Sequence, residues 1–413
     1  MFSGNSDIYI IDPLGSNDAD DAFSISNENG KNILWIFIAD PTKHFKIFDD
    51  TFNKIIEKCA TKYYYDKPPV NLFDENILSK SNLKNVNSVD CICFKIYIDD
   101  IYNSNTPYNY EITFEKIKPN VILNYETAIL NSFLEKSIKI ANKLQEKRIS
   151  HIKDVNYIIN YPKLVNNKWI LEKYNDTCIQ LKNMIAEFAI IVNKIIAFEL
   201  QNDNNIFRSC NTTDELIKCK TDNFINIIIK NGISAKYTPD KNKHYLIDNE
   251  LYTHFTSPLR RASDCIAHFI LKYKINGQNC PFDTEWLKNT SNELTLKTKI
   301  EKKRYYRDTK FFTLLAMDNM PKPIKCDFKF ISTTTFAGNQ FTNLMLTKIQ
   351  TNDGNEFYTQ MSITIKNNHF KHSIKEFVLL INTINTEKKF DNEIFPELKN
   401  LLIDYWKDNF HLL

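Results

Sequence analysis

The sequence predicts an α+β fold: a mixed β-sheet flanked by helices, followed by a small β-rich C-terminal domain. Three observations carry this. Apolar, β-branched and aromatic runs recur at 7–11, 22–26, 32–39, 91–99 and 109–118. Apolar residues at three- and four-residue spacing then dominate 125–147, 177–201, 213–231, 258–275 and 284–317. After Pro321-Lys322-Pro323 the pattern returns to short strands at 326–331, 341–349, 357–365 and 377–384, ahead of a terminal helix near 395–409. This divides the 413 residues into a large unit at 1–320 and a β-rich unit at 324–413, the latter read as a small sheet or a degenerate barrel of the OB/S1 type.

The first strand, Asp7-Ile-Tyr-Ile-Ile11, leads into Ile11-Asp-Pro-Leu-Gly-Ser-Asn-Asp-Ala-Asp-Asp-Ala22. Asp12, Asp18, Asp20 and Asp21 therefore crowd one loop at the end of a sheet, where rigid strands can fix them. Carboxylates this close repel one another unless positive charge lies between them. A hard divalent cation with oxygen ligands answers that need, and Mg²⁺ sites complete their shells with water and phosphate oxygens. The plain alternative is a solvated acidic turn. The calcium EF-hand pattern does not fit, because its glycine and terminal glutamate are misplaced. Gly15, one of only 7 glycines, permits a backbone conformation there that a side chain would resist. The next two strands are joined by the turn Asn27-Glu28-Asn29-Gly30.

Further along, Tyr252-Thr-His-Phe-Thr-Ser-Pro-Leu-Arg-Arg261 opens an amphipathic helix, with Pro258 suited to its first turn. Helix amino termini favour phosphate, and Arg260 adds a planar fork matched to phosphate oxygens. The plain alternative, which these residues alone favour, is a capped helix with exposed arginines. Residues 297–310 form the densest basic run and are the local candidate for backbone contacts, although Glu301 could simply pair with Arg304 or Tyr305 on one helix face. Tyr63, Tyr64 and Tyr65 are consecutive and suit a strand edge with one inward ring.

Composition narrows the classes. A net charge of +3 gives no global field for nucleic acid, so any phosphate-binding surface must be local. Nine dispersed cysteines without a Cys-x-x-Cys pair read as reduced thiols in a cytoplasmic compartment, without a zinc ribbon. The amino terminus lacks a secretion signal, and no apolar run is long enough to span a membrane. The histidines lack ligand spacing, and no Walker or dinucleotide glycine motif is present.

Taken together, Asp-x5-Asp-x-Asp-Asp-Ala and the distant Tyr-Thr-His-Phe-Thr-Ser-Pro-Leu-Arg-Arg resemble the RNase II (RNB) family of exoribonucleases. The run Ile36-Phe-Ile-Ala-Asp-Pro-Thr-Lys-His-Phe45 is similar to the family's segment after the aspartates, with departures at Phe37 and Pro41. The likeness covers about 7–317 in the family's order and implies an RNB-type catalytic domain with an RNA channel. It places Asp12, Asp18, Asp20 and Asp21 on the catalytic, metal-holding aspartates and Arg260 on the arginine at the scissile phosphate. Glu301 falls on a glutamate near the end nucleotide, and Tyr63 on a tyrosine packing against that nucleotide. Tyr252, Thr256, Ser257, Arg261 and Arg304 are expected to contact RNA around them.

The resemblance further implies one or two Mg²⁺ ions, with Mn²⁺ as a substitute, and 3′-to-5′ hydrolysis of single-stranded RNA to 5′-mononucleotides. Family members commonly carry RNA-binding barrels ahead of the catalytic domain. The chain begins almost at the aspartate strand, so those barrels are expected to be absent. RNA affinity should then be weak unless a partner protein supplies extra RNA binding. The competing expectations are a catalytically inert RNB-fold RNA-binding or scaffold protein and, from the aspartates alone, a Mg²⁺-dependent phosphatase or DNA nuclease.

Overall fold

Six strands build the sheet that carries the aspartate loop: β1 (Tyr9–Asp12), β2 (Asp21–Glu28), β3 (Lys31–Ala39), β4 (Val89–Tyr97), β5 (Tyr110–Ile117) and β6 (Val121–Asn124). In the computed structural model, which describes residues 2, 6–85, 87–99, 109–148, 159–214, 233–247, 249–336, 339–366, 376–381, 389–390 and 393–394, their spatial order is β5-β4-β3-β2-β1-β6. Neighbours are antiparallel except β1 and β6, which run parallel, so the sheet is mixed. The β2–β3 hairpin turns on Asn29 and Gly30, both at positive φ (52° and 79°), the backbone that a two-residue hairpin loop demands. β3 is buried from Ile33 to Ala39, as expected of a strand covered on both faces.

The helices are α1 (Asp50–Lys58), α2 (Glu75–Ser81), α3 (Ser132–Arg148), α4 (Asp176–Glu199), α5 (Ala262–Ile275) and α6 (Thr284–Asp318). Asp49, Asp74, Asn175 and Asp283 cap α1, α2, α4 and α6, each side chain accepting a backbone N–H three residues on. One core cluster unites the sheet with α4 and α5 through residues such as Phe23, Trp35, Phe188, Phe255 and Ile266. No helix among the described residues is long and apolar enough to cross a membrane.

Several boundaries depart from the sequence expectation. The helix expected at 125–147 begins at Ser132, because 121–124 pairs with β1 and the Asn131 side chain takes the Leu134 N–H at 2.9 Å. The helix expected from 258 begins at Ala262. Pro258 lies instead in a turn in which Ser257 O accepts the N–H groups of Arg260 (3.2 Å) and Arg261 (3.0 Å). The short helices α1 and α2 were not anticipated, nor was the hairpin of β7 (Pro162–Val165) and β8 (Lys168–Leu171). A short antiparallel pair, β9 (Phe207–Ser209) and β10 (Lys236–Thr238), completes this part. The helix expected at 213–231 lies outside the described residues beyond Asp214, and the one at 395–409 lies entirely outside them.

The C-terminal sheet contains β11 (Ile324–Phe336), β12 (Asn339–Gln350), β13 (Glu356–Lys366) and β14 (Glu376–Ile381), in the order β13-β12-β11-β14. All pairs are antiparallel, and the fourth strand returns beside the first, a Greek key. No fifth strand joins this sheet among the described residues. Its inner face packs Phe328, Leu344 and Ile363 on Leu314 and Met317 at the end of α6.

Candidate active site

The aspartate loop is fixed at both ends by the sheet. Asp12 closes β1, opposite Asn124 of β6, and Asp21 opens β2, opposite Ile38 of β3. Between them the chain reverses at Gly15 (φ 82°), with the Ser16 N–H donating to Pro13 O at 3.0 Å. A residue with a Cβ would be strained at that φ. The segment following α2 then grips the loop. Asn82 accepts the Ala19 N–H at 2.9 Å and donates to Asn17 O at 2.8 Å, while the Leu83 N–H donates to Ala19 O at 3.2 Å. Lys84 Nζ lies 2.8 Å from Asp12 Oδ2 and donates to Ser16 O at 2.8 Å. Sequence reading missed both Asn82 and Lys84.

Asp20 joins the two distant motifs. Its Oδ1 accepts the Leu259 N–H at 2.7 Å, and its Oδ2 accepts Arg260 Nε at 2.9 Å. The Asp20 side chain is 9% exposed, whereas the Arg260 side chain is 49% exposed. The guanidinium is thus anchored through one nitrogen and presents its other edge outward. The turn bearing Arg260 is itself tied to the strand-like segment after α1, through Thr61 N–H to Arg260 O (3.0 Å) and Ala262 N–H to Cys59 O (2.9 Å). Two residues on, Tyr63 stands half exposed beside Arg260 and Asp20.

Tyr63 also lines a cavity of about 440 Å³ together with Tyr161, Glu301, Tyr305, Tyr306 and Met361. Glu301 is held there by Arg304, whose Nε donates to both carboxylate oxygens at 3.1 Å. The Arg304 guanidinium also donates to Tyr63 O and lies 4.0 Å from the centre of the Tyr64 ring. Glu301 thus pairs with Arg304, as the plain reading of the helix face expects, and lines the same cavity as Tyr63.

Four expected RNA contacts fall elsewhere. Tyr252, Thr256 and Ser257 are at most 7% exposed. The Tyr252 hydroxyl accepts from Asn193 Nδ2 at 2.8 Å. Arg261 is spent on Asp264, donating through Nε (2.9 Å) and Nη2 (2.8 Å). Asp264 also accepts the Ser257 N–H at 2.8 Å. These residues form the layer beneath Arg260, and for Arg261 the cause is plain: the wholly buried Asp264, three residues on, claims its charge.

Burial pushes the Asp20 carboxyl up to about 6, against the pull of the Arg260 charge and the Leu259 N–H. Asp21 is pushed up to about 7, by burial first and then by the negative charges of Asp12 and Asp20. Burial also raises Asp12, with Lys84 opposing, and raises Asp18, with Glu75 adding to the effect. Among the described residues no three acidic, histidine or cysteine side chains already converge as a cage for an ion. The residues fit a hard divalent cation in donor type and in charge: every donor is a carboxylate, and their crowding raises the cost of ionising them all.

A pH effect follows. Between about pH 4 and pH 7 the folded state retains protons at Asp20 and Asp21 that the unfolded chain has lost. The share of stability in chelator that these two groups carry should therefore fall as pH rises through this window and level off above it. His244 and His254, whose rings burial keeps neutral, act in the opposite direction. Denaturant midpoints measured from pH 4.5 to 8 check this, and Asp21→Asn should flatten the decline. A gap between the midpoints of the two chains that stays constant across the window would contradict the assignment.

The RNB domain matches residues 4–277. Protein SSD1 of Saccharomyces cerevisiae is 26% identical over 226 residues, covering 48% of this chain and 18% of that protein. A solved structure of yeast Ssd1, described as a pseudonuclease, superposes with a TM-score of 0.64 at 18% identity, covering 82% of this chain and 48% of the other. Ribonuclease R of Buchnera aphidicola is 24% identical over 204 residues, covering 47% of this chain and 25% of that protein. An active-site mutant of the Dss1 exoribonuclease from Candida glabrata superposes with a TM-score of 0.73 at 19% identity, covering 95% of this chain and 54% of the other. The chain spans less than half the length of the curated relatives it matches. The domain match covers both the aspartate loop and Arg260 and bears out the resemblance read from the two motifs: the chain belongs to the RNB domain family.

Proposed function

We propose that the chain is a divalent-cation-dependent exoribonuclease that trims single-stranded RNA from its 3′ end to 5′-mononucleotides. One observation carries the reading. Asp20 holds Leu259 and Arg260 at 2.7 and 2.9 Å, so the acidic loop and a guanidinium with an open edge meet at one point. An acidic loop alone repels phosphate, and an arginine alone merely binds it; together they supply both halves of a phosphoryl site.

Asp12, Asp18, Asp20 and Asp21 would hold Mg²⁺, with Mn²⁺ as a substitute; the bound ion polarises a phosphoryl oxygen and makes a coordinated water more acidic. Arg260 contributes its outward edge to the non-bridging oxygens, while Asp20 at its Nε keeps that edge aimed. Tyr63 offers a ring to the terminal nucleoside, and the tyrosines of the adjoining cavity extend that stacking surface. Glu301, pinned by Arg304, offers carboxylate oxygens to ribose hydroxyls, the groups that distinguish RNA from DNA.

The likeness to Ssd1, described as a pseudonuclease, favours a second reading, in which the chain binds RNA without cleaving it. Incubating RNA, DNA and a small phosphomonoester with the chain and Mg²⁺ separates the readings. Hydrolysis confined to RNA supports the exoribonuclease, equal action on all three points to a general phosphoesterase, and no turnover supports the binding protein. Binding of single-stranded RNA in chelator should also weaken roughly 20- to 50-fold between 50 and 200 mM salt, for three or four phosphate contacts. A flat salt response would remove the phosphate-tracking surface.

A further inference from the structure

We propose that Lys84 is a positioning residue for the aspartate loop: its ammonium fixes Asp12 and the Ser16 carbonyl so that the loop presents its carboxylates to a divalent cation. This rests on the cation-dependent reading above. Lys84 Nζ lies 2.8 Å from Asp12 Oδ2, with the two side chains only 16% and 21% exposed. The same nitrogen donates to Ser16 O at 2.8 Å. It therefore spans the mouth of the loop, from the end of β1 to the far side of the turn at Gly15.

The lysine is itself held in place. Its backbone N–H donates to Asn82 Oδ1 at 3.0 Å, the same oxygen that takes the Ala19 N–H at 2.9 Å. Asn82 Nδ2 reaches Asn17 O at 2.8 Å and Asp18 Oδ1 at 3.4 Å. Residues 82–84 thus touch the loop at Asp12, Ser16, Asn17, Asp18 and Ala19. An exposed ion pair would contribute little. This one is partly buried and shared with a carbonyl, so it fixes geometry rather than merely balancing charge.

Two roles for such a lysine make opposite predictions. A lysine that only neutralised the cluster would compete with a divalent ion, and its removal would tighten ion binding. A lysine that orients a ligating carboxylate acts as an outer partner, and losing such a partner typically costs about 10- to 100-fold in metal affinity. Lys84 engages only one of the two Asp12 carboxylate oxygens, Oδ2. Its two contacts across the loop mouth, to Asp12 and to Ser16 O, beside the grip of Asn82 on Asn17, Asp18 and Ala19, place Lys84 in the second role.

The test compares the full chain with Lys84→Met and Lys84→Arg. It measures Mn²⁺ binding by calorimetric titration and amide hydrogen exchange over residues 12–21 in chelator. Lys84→Met should bind Mn²⁺ about 10- to 100-fold more weakly. Its loop amides should exchange about tenfold faster or more, with the core of β3 unchanged. Lys84→Arg, which keeps the cation, should restore most of both. Tighter Mn²⁺ binding, or unchanged loop exchange, by Lys84→Met overturns the proposal. If the unaltered chain takes up no Mn²⁺ but Lys84→Met still frees the loop, the positioning role stands and the cation-dependent reading fails.

Discussion

Asp20→Asn is expected to lower RNA turnover by at least about 10³-fold while leaving RNA binding within a few-fold of the unaltered chain. The size of the effect follows from the two jobs Asp20 performs. In the proposed reading it would supply one ligand to the cation, and its Oδ2 orients Arg260 through Nε at 2.9 Å. Asparagine can still accept the Leu259 N–H with its single oxygen. Its amide nitrogen then meets Arg260 Nε, donor against donor, and the guanidinium loses its aim. Binding should survive, because removing a negative charge beside the phosphate path does not weaken attraction for an anion. Gel-shift titration in chelator and single-turnover cleavage in Mg²⁺ read the two quantities separately. Near-normal cleavage by this variant would take Asp20 out of the chemistry.

The largest expected loss of stability lies one layer deeper. Asp264→Ala should destabilise the fold by about 3–5 kcal/mol, the range found when one partner of a buried ion pair is removed. Asp264 is fully buried and takes two hydrogen bonds from Arg261, one from the Ser257 N–H and one from Ser263 Oγ at 2.9 Å. Alanine leaves the Arg261 charge and the Ser257 N–H without partners and unpins the turn that aims Arg260. Urea denaturation of the two chains measures the loss. A change below about 1 kcal/mol would mean that the turn is held by other contacts.

The readable parts of this molecule were those whose chemistry is local in the chain. The aspartates were legible because they crowd one loop between two apolar strands, so both their repulsion and their rigid mounting show in a single stretch. Arg260 was legible only through the pairing of two motifs, since an arginine near a turn carries no chemistry alone. The buried layer of Tyr252, Thr256, Ser257 and Arg261 was misread for a physical reason. Arg261 looks like a ligand contact until the carboxylate three residues on is weighed as its partner, and the Tyr252 hydroxyl pairs with Asn193, 59 positions away. Asn82 and Lys84 gave no signal, because they are lone polar residues in a polar stretch and their partners lie 63 to 72 positions away. The helices α1 and α2 were missed because 9 and 7 residues show too few turns for periodicity to stand out, although Asp49 and Asp74 mark their starts.

Cleavage of 5′-labelled single-stranded RNA, run in parallel with Mg²⁺ and with chelator, bears most directly on the claim that the acidic loop and Arg260 form one hydrolytic centre. The predicted result is a ladder that shortens from the 3′ end with Mg²⁺ and an intact strand in chelator. An intact strand under every divalent metal tried, with RNA still bound, would contradict it.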